Sequence, residues 1–289
     1  MELGEHLLAQ EERLRLAMRI LALKIYADTL RAYREGVPKL LDAFDELSIT
    51  GSFFFGMGRE GSGSVVSRVF GEGQEIVASA PDILRDASRR GQDCGIYGWN
   101  PKEWETRLDK LKDTTLEADT KRAIEYFARK TGSHPSGFSA PGFRVNYMSL
   151  RVEDEAHFKY CSDTFGFYPF KPRISWKVFN TPQIPSTLPP LEVVLQRASE
   201  SEARSRLKEL DGSIEVGLNV LPVNAAAVIN PQIFGPFHEF LLRSAREGVR
   251  FVSLSAVAGK VDISSLPPCE VTDARVFGMS QGVALQTLE

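Results

Sequence analysis

The stretch CGIYGWNPKEW, residues 94–104, has the form of a strand end followed by the first turn of a helix. Ligands and catalytic groups collect at such junctions in α/β proteins, because the carboxyl ends of parallel strands meet at one edge of the sheet. This junction offers Tyr97, Trp99, Asn100 and Pro101. Such side chains contribute almost nothing that binds a metal or moves a proton at neutral pH. A junction placed like a catalytic site thus carries few groups for catalysis.

Other motifs that carry chemistry are equally sparse. The glycines of GMGREGSGS, residues 56–64, match neither a P-loop nor a dinucleotide fingerprint, and they predict a mobile loop over the pocket. The chain has no Cys-x-x-Cys pair. No two histidines have the spacing of a zinc site; they are His6, His134, His157 and His238.

Composition bounds the class of protein. The chain has 289 residues, 43% of them hydrophobic, which suffices for one large domain or two ordinary ones. Its formal net charge is −3 and its basic residues are dispersed, so we expect no nucleic-acid partner. The three cysteines, Cys94, Cys161 and Cys269, are widely spaced, which favours reduced thiols in a cytoplasmic protein.

The N-terminal residues form a separate segment in this interpretation. Residues 5–20 mix leucines with charged residues and predict an imperfectly amphipathic helix, so that residues 1–20 are an extension and residues 21–289 are the main domain. The helix packs on its own domain or on a second subunit; a peripheral position on the inner face of a membrane is the alternative. No signal peptide or membrane span is expected.

Strand-like and helix-like segments alternate along the remaining chain. The strand candidates are residues 21–28, 49–58, 92–97, 137–142, 158–163, 214–220 and 249–255. The helix candidates are residues 36–47, 81–91, 101–112, 115–131, 190–210 and 231–247. Alternation without a linker or a fixed repeat predicts an α/β fold, one closed or distorted (β/α) barrel.

Four segments, taken in order, carry a family resemblance. They are LKIYADTLRAYREGVPKLL (23–41), CGIYGWNPKEWE (94–105), HFKYCSDTFGFYPFKP (157–172) and TPQIPSTLPP (181–190). Together they resemble the deformylases of lipid-linked formamido-arabinose, within the polysaccharide deacetylase (NodB-homology) superfamily. The resemblance covers the chain from about residue 22 onward. It implies a distorted (β/α) barrel with its pocket at the carboxyl ends of the strands.

The resemblance also implies a metal site whose residues have changed. The family carries Asp-x-Asp, a general base and a metal ligand, where this chain has Tyr26 and Asp28. The family's two histidine ligands correspond to Tyr97 and Pro101, and its final histidine, the general acid, to Asn219. One carboxylate cannot hold a hydrolytic metal, and a tyrosine with a pKa near 10 is a poor base. We therefore expect no metal and no other cofactor.

Recognition groups remain by the same resemblance. Arg144 in APGFR and Asp163 in YCSD match positions near the family's sugar pocket, and a guanidinium suits a phosphate or a carboxylate. Trp99 and Tyr97 are candidates for stacking on a sugar face. The alternative is structural: Asp163 caps a turn, and the aromatic rings pack at the barrel rim.

Three functions compete on this basis. The first is a deacetylase-fold protein without catalysis that binds an amino sugar, free or lipid-linked, or that regulates an active paralogue. The second is an active carbon–nitrogen hydrolase, a deacetylase or deformylase, with a rebuilt metal-independent site that uses either Asp28 with water or Tyr26 and Tyr97. The third is a purely structural role, for example in a homo-oligomer.

Overall fold

The main sheet is parallel, and most residues of the predicted site lie on its strands or in the loops that follow them. A computed structural model describes residues 18–58, 76–279 and 281–288. Six strands follow the order β5-β4-β3-β2-β1-β8, and β9 pairs with the first half of β1. The six strands together with β9 are β1 (Arg19–Ala27), β2 (Ser52–Phe55), β3 (Asp93–Ile96), β4 (Gly137–Phe138), β5 (Tyr160–Cys161), β8 (Gly217–Asn224) and β9 (Arg250–Val252). The predicted distorted (β/α) barrel is confirmed.

The gap between β5 and β8 is closed by an extended segment, residues 183–188, which we call the closing segment. On one side, Ile184 N–H donates to the carbonyl of Cys161 in β5 at 2.8 Å. On the other, the N–H groups of Thr187 and Leu188 donate to the carbonyl of Val220 in β8 at 3.2 and 3.1 Å. The proline-rich stretch of the sequence analysis is therefore part of the barrel wall.

A second sheet lies beside the barrel and was not predicted. It has the order β11-β10-β6-β7, with β6 (Lys171–Ile174), β7 (Lys177–Val178), β10 (Pro268–Ala274) and β11 (Val283–Thr287). The β6–β10 pair is parallel and the two other pairs are antiparallel. It is joined to the barrel by Phe165 N–H, which donates to Ala284 O at 2.8 Å.

Helices cover the outside of the main sheet. They are α1 (Val37–Leu47), α2 (Ile76–Ser79), α3 (Pro81–Arg89), α4 (Pro101–Arg107), α5 (Asp113–Thr131), α6 (Tyr147–Glu155), α7 (Leu191–Val194), α8 (Glu200–Gly212), α9 (Pro231–Arg246) and α10 (Leu254–Ala258). The single helix predicted over 190–210 is in fact two. Ser199 and Glu202 form a capping box that starts α8, because each side chain bonds the other's backbone N–H.

Two predictions concern segments that the structure describes only in part, residues 5–20 and residues 56–64. Arg19 and Ile20 belong to β1, so the end of the helix predicted over 5–20 is wrong: pairing with β8 holds these two residues in a strand. Residues 5–17 of that helix lie outside the described residues, as do residues 59–64 of the predicted loop.

The two faces of β1 have different neighbours, as a strand requires. Leu21, Leu23 and Ile25 pack in the large apolar layer beneath the helices. Ala22 and Tyr26 belong instead to the small cluster inside the barrel. Residues two apart share one face of a strand, so Lys24 belongs to the inner face, although it carries a charge.

Candidate functional site

Two stacked tyrosines occupy the carboxyl end of the barrel interior. Tyr26 is near the end of β1 and Tyr97 directly follows β3. Their rings stack with centroids 5.1 Å apart and an angle of 17° between the planes, and Phe143 meets Tyr26 edge-on at 6.4 Å. Both tyrosines are buried, 6% and 5% exposed. The structure thus brings together two of the predicted site residues, in direct contact.

The hydroxyl groups of this pair have fixed partners. Tyr26 donates to the carboxylate of Glu192, at the start of α7, and Tyr97 accepts from the N–H of Gly142 at 3.1 Å. Burial, first of all, raises the pKa of both phenols well above the ordinary value near 10. The nearby carboxylates of Glu192 and Asp28 raise the pKa of Tyr26 and of Tyr97, respectively, still further. Both groups are neutral at physiological pH.

A buried lysine lies deeper in the barrel, below the tyrosines. Lys24 is fully buried, donates to the carbonyl of Ser162, and places Nζ 4.2 Å from the centre of the Phe143 ring. Burial lowers the pKa of Lys24 to about 7, although the charges of Asp163 and Glu192 oppose that shift. Sequence reasoning missed both Lys24 and Glu192; the signal for Lys24 was a charge inside an otherwise apolar strand.

Asp163 is enclosed rather than open to a ligand. Its carboxylate accepts from the N–H of Ala140 at 2.6 Å and from the amide of Gln183 at 2.5 Å, and the residue is fully buried. Burial raises the pKa of this carboxyl, while the bond from Gln183 and the charge of Lys24 act against the rise. These contacts tie β5 to the closing segment, which is the structural alternative considered above.

Comparison with known proteins identifies the fold. No family model matches the chain. A probable 4-deoxy-4-formamido-L-arabinose-phosphoundecaprenol deformylase of Shewanella sediminis is 23% identical, over 89% of this chain and 91% of the relative. The crystal structure of a Mycobacterium smegmatis protein named as a polysaccharide deacetylase superposes with a TM-score of 0.70 at 16% identity, covering 90% of this chain and 96% of the other. This chain has the polysaccharide deacetylase fold.

A protein of this fold without catalysis is also similar. The structure of a pseudoenzyme of carbohydrate esterase family 4 from Bacillus anthracis superposes with a TM-score of 0.57 at 9% identity, covering 84% of this chain and 66% of that chain. The resemblance to the deacetylase superfamily and to the deformylases, predicted from four segments, is confirmed.

The residues of this deacetylase fold do not fit the metal that the family implies. The resemblance assigns the base and the metal ligands to Tyr26, Asp28, Tyr97 and Pro101. Only Asp28 among them has a side chain that commonly binds a divalent metal, and it is partly exposed. Tyr97 is a neutral phenol that already accepts a hydrogen bond. Pro101 is the first residue of α4 and has no ligand atom. These residues therefore do not form the site of about three ligands that a hydrolytic zinc requires.

Asn219 lies at the opposite end of the deacetylase-type barrel from the tyrosines. It pairs with Leu21 near the start of β1, and its amide donates to the carbonyls of Ile20, Glu215 and Gly217 at 2.7–3.2 Å. The strand-end position next to Tyr26 is taken by Asn224, whose N–H donates to Glu192 at 3.2 Å. The structure thus places Asn219 away from the site and puts Asn224 there.

Trp99 turns toward the helix layer instead of the barrel mouth. Its ring packs against Tyr126 at 6.0 Å, and the guanidinium of Arg122 lies 4.1 Å from the ring centre. The residue is 6% exposed. These contacts match the packing alternative and leave no ring face for a sugar.

Arg144 lies beside the second sheet and is already paired. Its guanidinium meets the Asp109 carboxylate at 2.5 Å, and the side chain is 25% exposed. Both line a cavity of about 160 Å³ with Ile174 and Asp273. An anion reaching Arg144 must compete with Asp109, and Asp273 adds a further negative charge to the cavity.

No helix in the described part of the chain combines the length and the apolar character needed to cross a bilayer.

Proposed function

We propose that this chain binds an amino sugar, free or lipid-linked, and does not hydrolyse it through a metal. The observation that carries the proposal is the stack of Tyr26 on Tyr97. The resemblance assigns these two positions to the general base and to a metal ligand. Here they hold two neutral aromatic groups whose rings are stacked and buried.

The remaining polar groups do not supply a replacement base. Glu192 has its pKa raised by burial, and its oxygens accept bonds from Tyr26 and from the N–H of Asn224. A general base must lie within hydrogen-bond reach of the water that it deprotonates, and both oxygens of Glu192 are already engaged by these donors. Lys24 is fully buried beneath the rings and does not reach solvent.

The choice of ligand rests on the relatives. The Shewanella sediminis relative is named for a deformylase of a lipid-linked formamido-arabinose, which is an amino sugar. The Bacillus anthracis pseudoenzyme is a precedent for this fold without catalysis.

Two measurements on the same preparation test the proposal. Calorimetry with a phosphorylated N-formyl amino sugar measures binding, and a formate-release assay on the same ligand with and without added zinc measures hydrolysis. We expect binding without zinc-dependent release. Zinc-dependent turnover that Asp28→Asn abolishes would refute the loss of hydrolysis, and no binding of phosphorylated or uncharged sugars would refute the recognition role.

A further inference from the structure

Three potential metal ligands meet outside the barrel mouth. Glu153 near the end of α6, Cys161 at the end of β5 and Asp163 each offer one ligand atom, and these three atoms lie within 4.8 Å of one another. All three residues are buried, with exposures of 2%, 0% and 0%. They are distinct from the positions that the family resemblance assigns to metal binding.

Glu153 is the member that demands a partner. By hydrogen-bond geometry, neither of its buried carboxylate oxygens has a donor among the described residues, although the carboxyl of Asp163 and the thiol of Cys161 lie close enough to act on it. An ionised carboxylate without a donor or a cation is costly in the interior of a protein, so the group must hold a proton or face a positive ion. The other two members, the thiol of Cys161 and the carboxylate of Asp163, also offer ligand atoms for a metal.

The charges around the cluster support a cation more than a further anion. Lys24 is the basic group that acts on Asp163 from the inner face of β1. It can compensate one carboxylate, and Glu153 is then left as a second one. Without a cation, burial and the neighbouring Asp163 raise the pKa of Glu153 well above its usual range, which means that a proton takes the empty place.

We propose that Glu153, Cys161 and Asp163 bind a divalent metal of the zinc class. A thiolate ligand excludes magnesium and calcium, which prefer oxygen alone, and two carboxylates with a thiolate match the ligand types of zinc and cobalt. Asp163 keeps its bonds from Ala140 and Gln183, which orient it in the way that outer groups orient metal ligands. The site joins α6 to β5.

Metal binding at this site must release protons. The thiol of Cys161 loses its proton when sulfur coordinates the metal, and the carboxyl of Glu153 loses the proton that it holds without metal. Both protons pass to solvent, so about two protons leave for each metal bound. The site is closed, and we therefore expect loading during folding rather than rapid exchange in the native state.

The test uses the whole chain refolded with cobalt and, separately, with zinc. We expect one metal per chain by native mass spectrometry and, with cobalt, a sulfur-to-cobalt charge-transfer absorption band. Cys161→Ser should abolish the band, whereas Cys94→Ser, at another buried cysteine, should keep it. Glu153→Gln should lose the metal and remain folded, because the amide replaces a neutral carboxyl of the same shape.

If the cluster of Glu153, Cys161 and Asp163 binds no metal, the same experiments give different results. A wild type without stoichiometric metal after refolding, or a band that persists in Cys161→Ser, overturns the proposal. Asp28→Asn must leave the metal in place, since loss in that variant would put the ion at the barrel mouth instead. If Cys161→Ser does not fold, Glu153→Gln and the number of protons released by the wild type still decide. The proposed sugar binding is independent of this outcome.

Discussion

The phenol of Tyr26 donates a hydrogen bond to the carboxylate of Glu192, so a residue at the end of β1 is tied to one at the start of α7. The same carboxylate accepts the N–H of Asn224 at 3.2 Å, which adds β8 to the junction. The two bonds engage one oxygen each of the Glu192 carboxylate. Residue 26, which the resemblance assigns to the general base, therefore makes a structural contact in this chain.

Tyr26→Phe should destabilise the protein more than Tyr97→Phe. The first change leaves the buried carboxylate of Glu192 without its side-chain donor, which costs about 1–3 kcal/mol. The second removes only the acceptor of Gly142 N–H, a neutral bond worth about 0.5–1.5 kcal/mol. Urea denaturation at neutral pH compares the two variants. Equal losses would contradict a special role for the bond to Glu192.

Tyrosine ionisation should report the enclosure of the site. Because the pKa of Tyr26 and Tyr97 is raised, both keep their protons above pH 10, where tyrosines of the unfolded chain release theirs. The unfolded state then binds fewer protons, so the contribution of these groups to stability is complete below pH 10 and falls as the pH rises further. Ultraviolet titration should show these two groups ionising only with unfolding, together with the equally buried Tyr33 and Tyr160. Tyr26→Phe, as a control, should leave the early phase of the titration unchanged.

Metal binding at the barrel mouth should return when the replaced residues are changed. The combination Tyr26→Asp, Tyr97→His and Pro101→His adds two imidazoles and a carboxylate around Asp28, which meets the need for about three ligands. We expect stoichiometric zinc in this variant, measured in a Glu153→Gln background so that the site proposed above does not contribute. Failure to gain zinc would show that these positions do not converge.

The placement of the two asparagines predicts which one can supply an acid. Added to the zinc-binding variant, Asn224→His should raise the rate of formyl or acetyl release, because residue 224 is paired with residue 26 at the strand ends. Asn219→His should have no such effect, since residue 219 lies at the other end of the barrel and bonds the backbone there. A rate increase with Asn219→His alone would restore the assignment made from the sequence.

Asp28→Asn should have little effect on sugar affinity or on the free energy of unfolding. Asp28 is partly exposed, and its contribution to stability is therefore screened by solvent. Calorimetry and urea denaturation give the two quantities. If the wild type releases formate or acetate without a metal and this variant does not, the chain is the metal-independent hydrolase of the second hypothesis.

Substitutions of Arg144 and of Asp109 should change the affinity for a phosphorylated sugar in opposite directions. If Arg144 contacts the phosphate, Arg144→Ala should weaken binding by about tenfold to a hundredfold. Asp109→Asn should strengthen it, because the carboxylate no longer competes for the guanidinium. Neither change should alter affinity for the uncharged sugar. Unchanged affinities in both variants would make Arg144 a purely structural residue.

The sequence predicted the main barrel because its strands are short apolar runs between clear helices. It did not predict the second sheet, since β6 and β7 are only half-buried and the pairing of β6 with β10 is distant in sequence. The end of β8 was also misplaced. Strand β8 runs on to residue 224 because it pairs with β1 over eight residues, a tertiary effect that local composition does not reveal.

The sequence also did not predict which partners the side chains contact. Trp99, Arg144 and Asp163 lie near predicted junctions, but their partners Arg122, Asp109 and Gln183 are set by packing between elements. The tyrosines were easier to predict, because alternation along β1 and the end of β3 fixes their position. Lys24 and Glu153 are buried ionisable groups, and only the fold shows which groups they face.

The closing segment also bears on the behaviour of this protein at high concentration. Without residues 183–188, β5 and β8 would each present an unpaired strand edge, and such edges join to those of other molecules. The segment occupies both edges, while the prolines at positions 182, 185, 189 and 190 offer no N–H for another strand. Loosening this segment, for example through Gln183→Ala, should therefore increase aggregation before it unfolds the barrel.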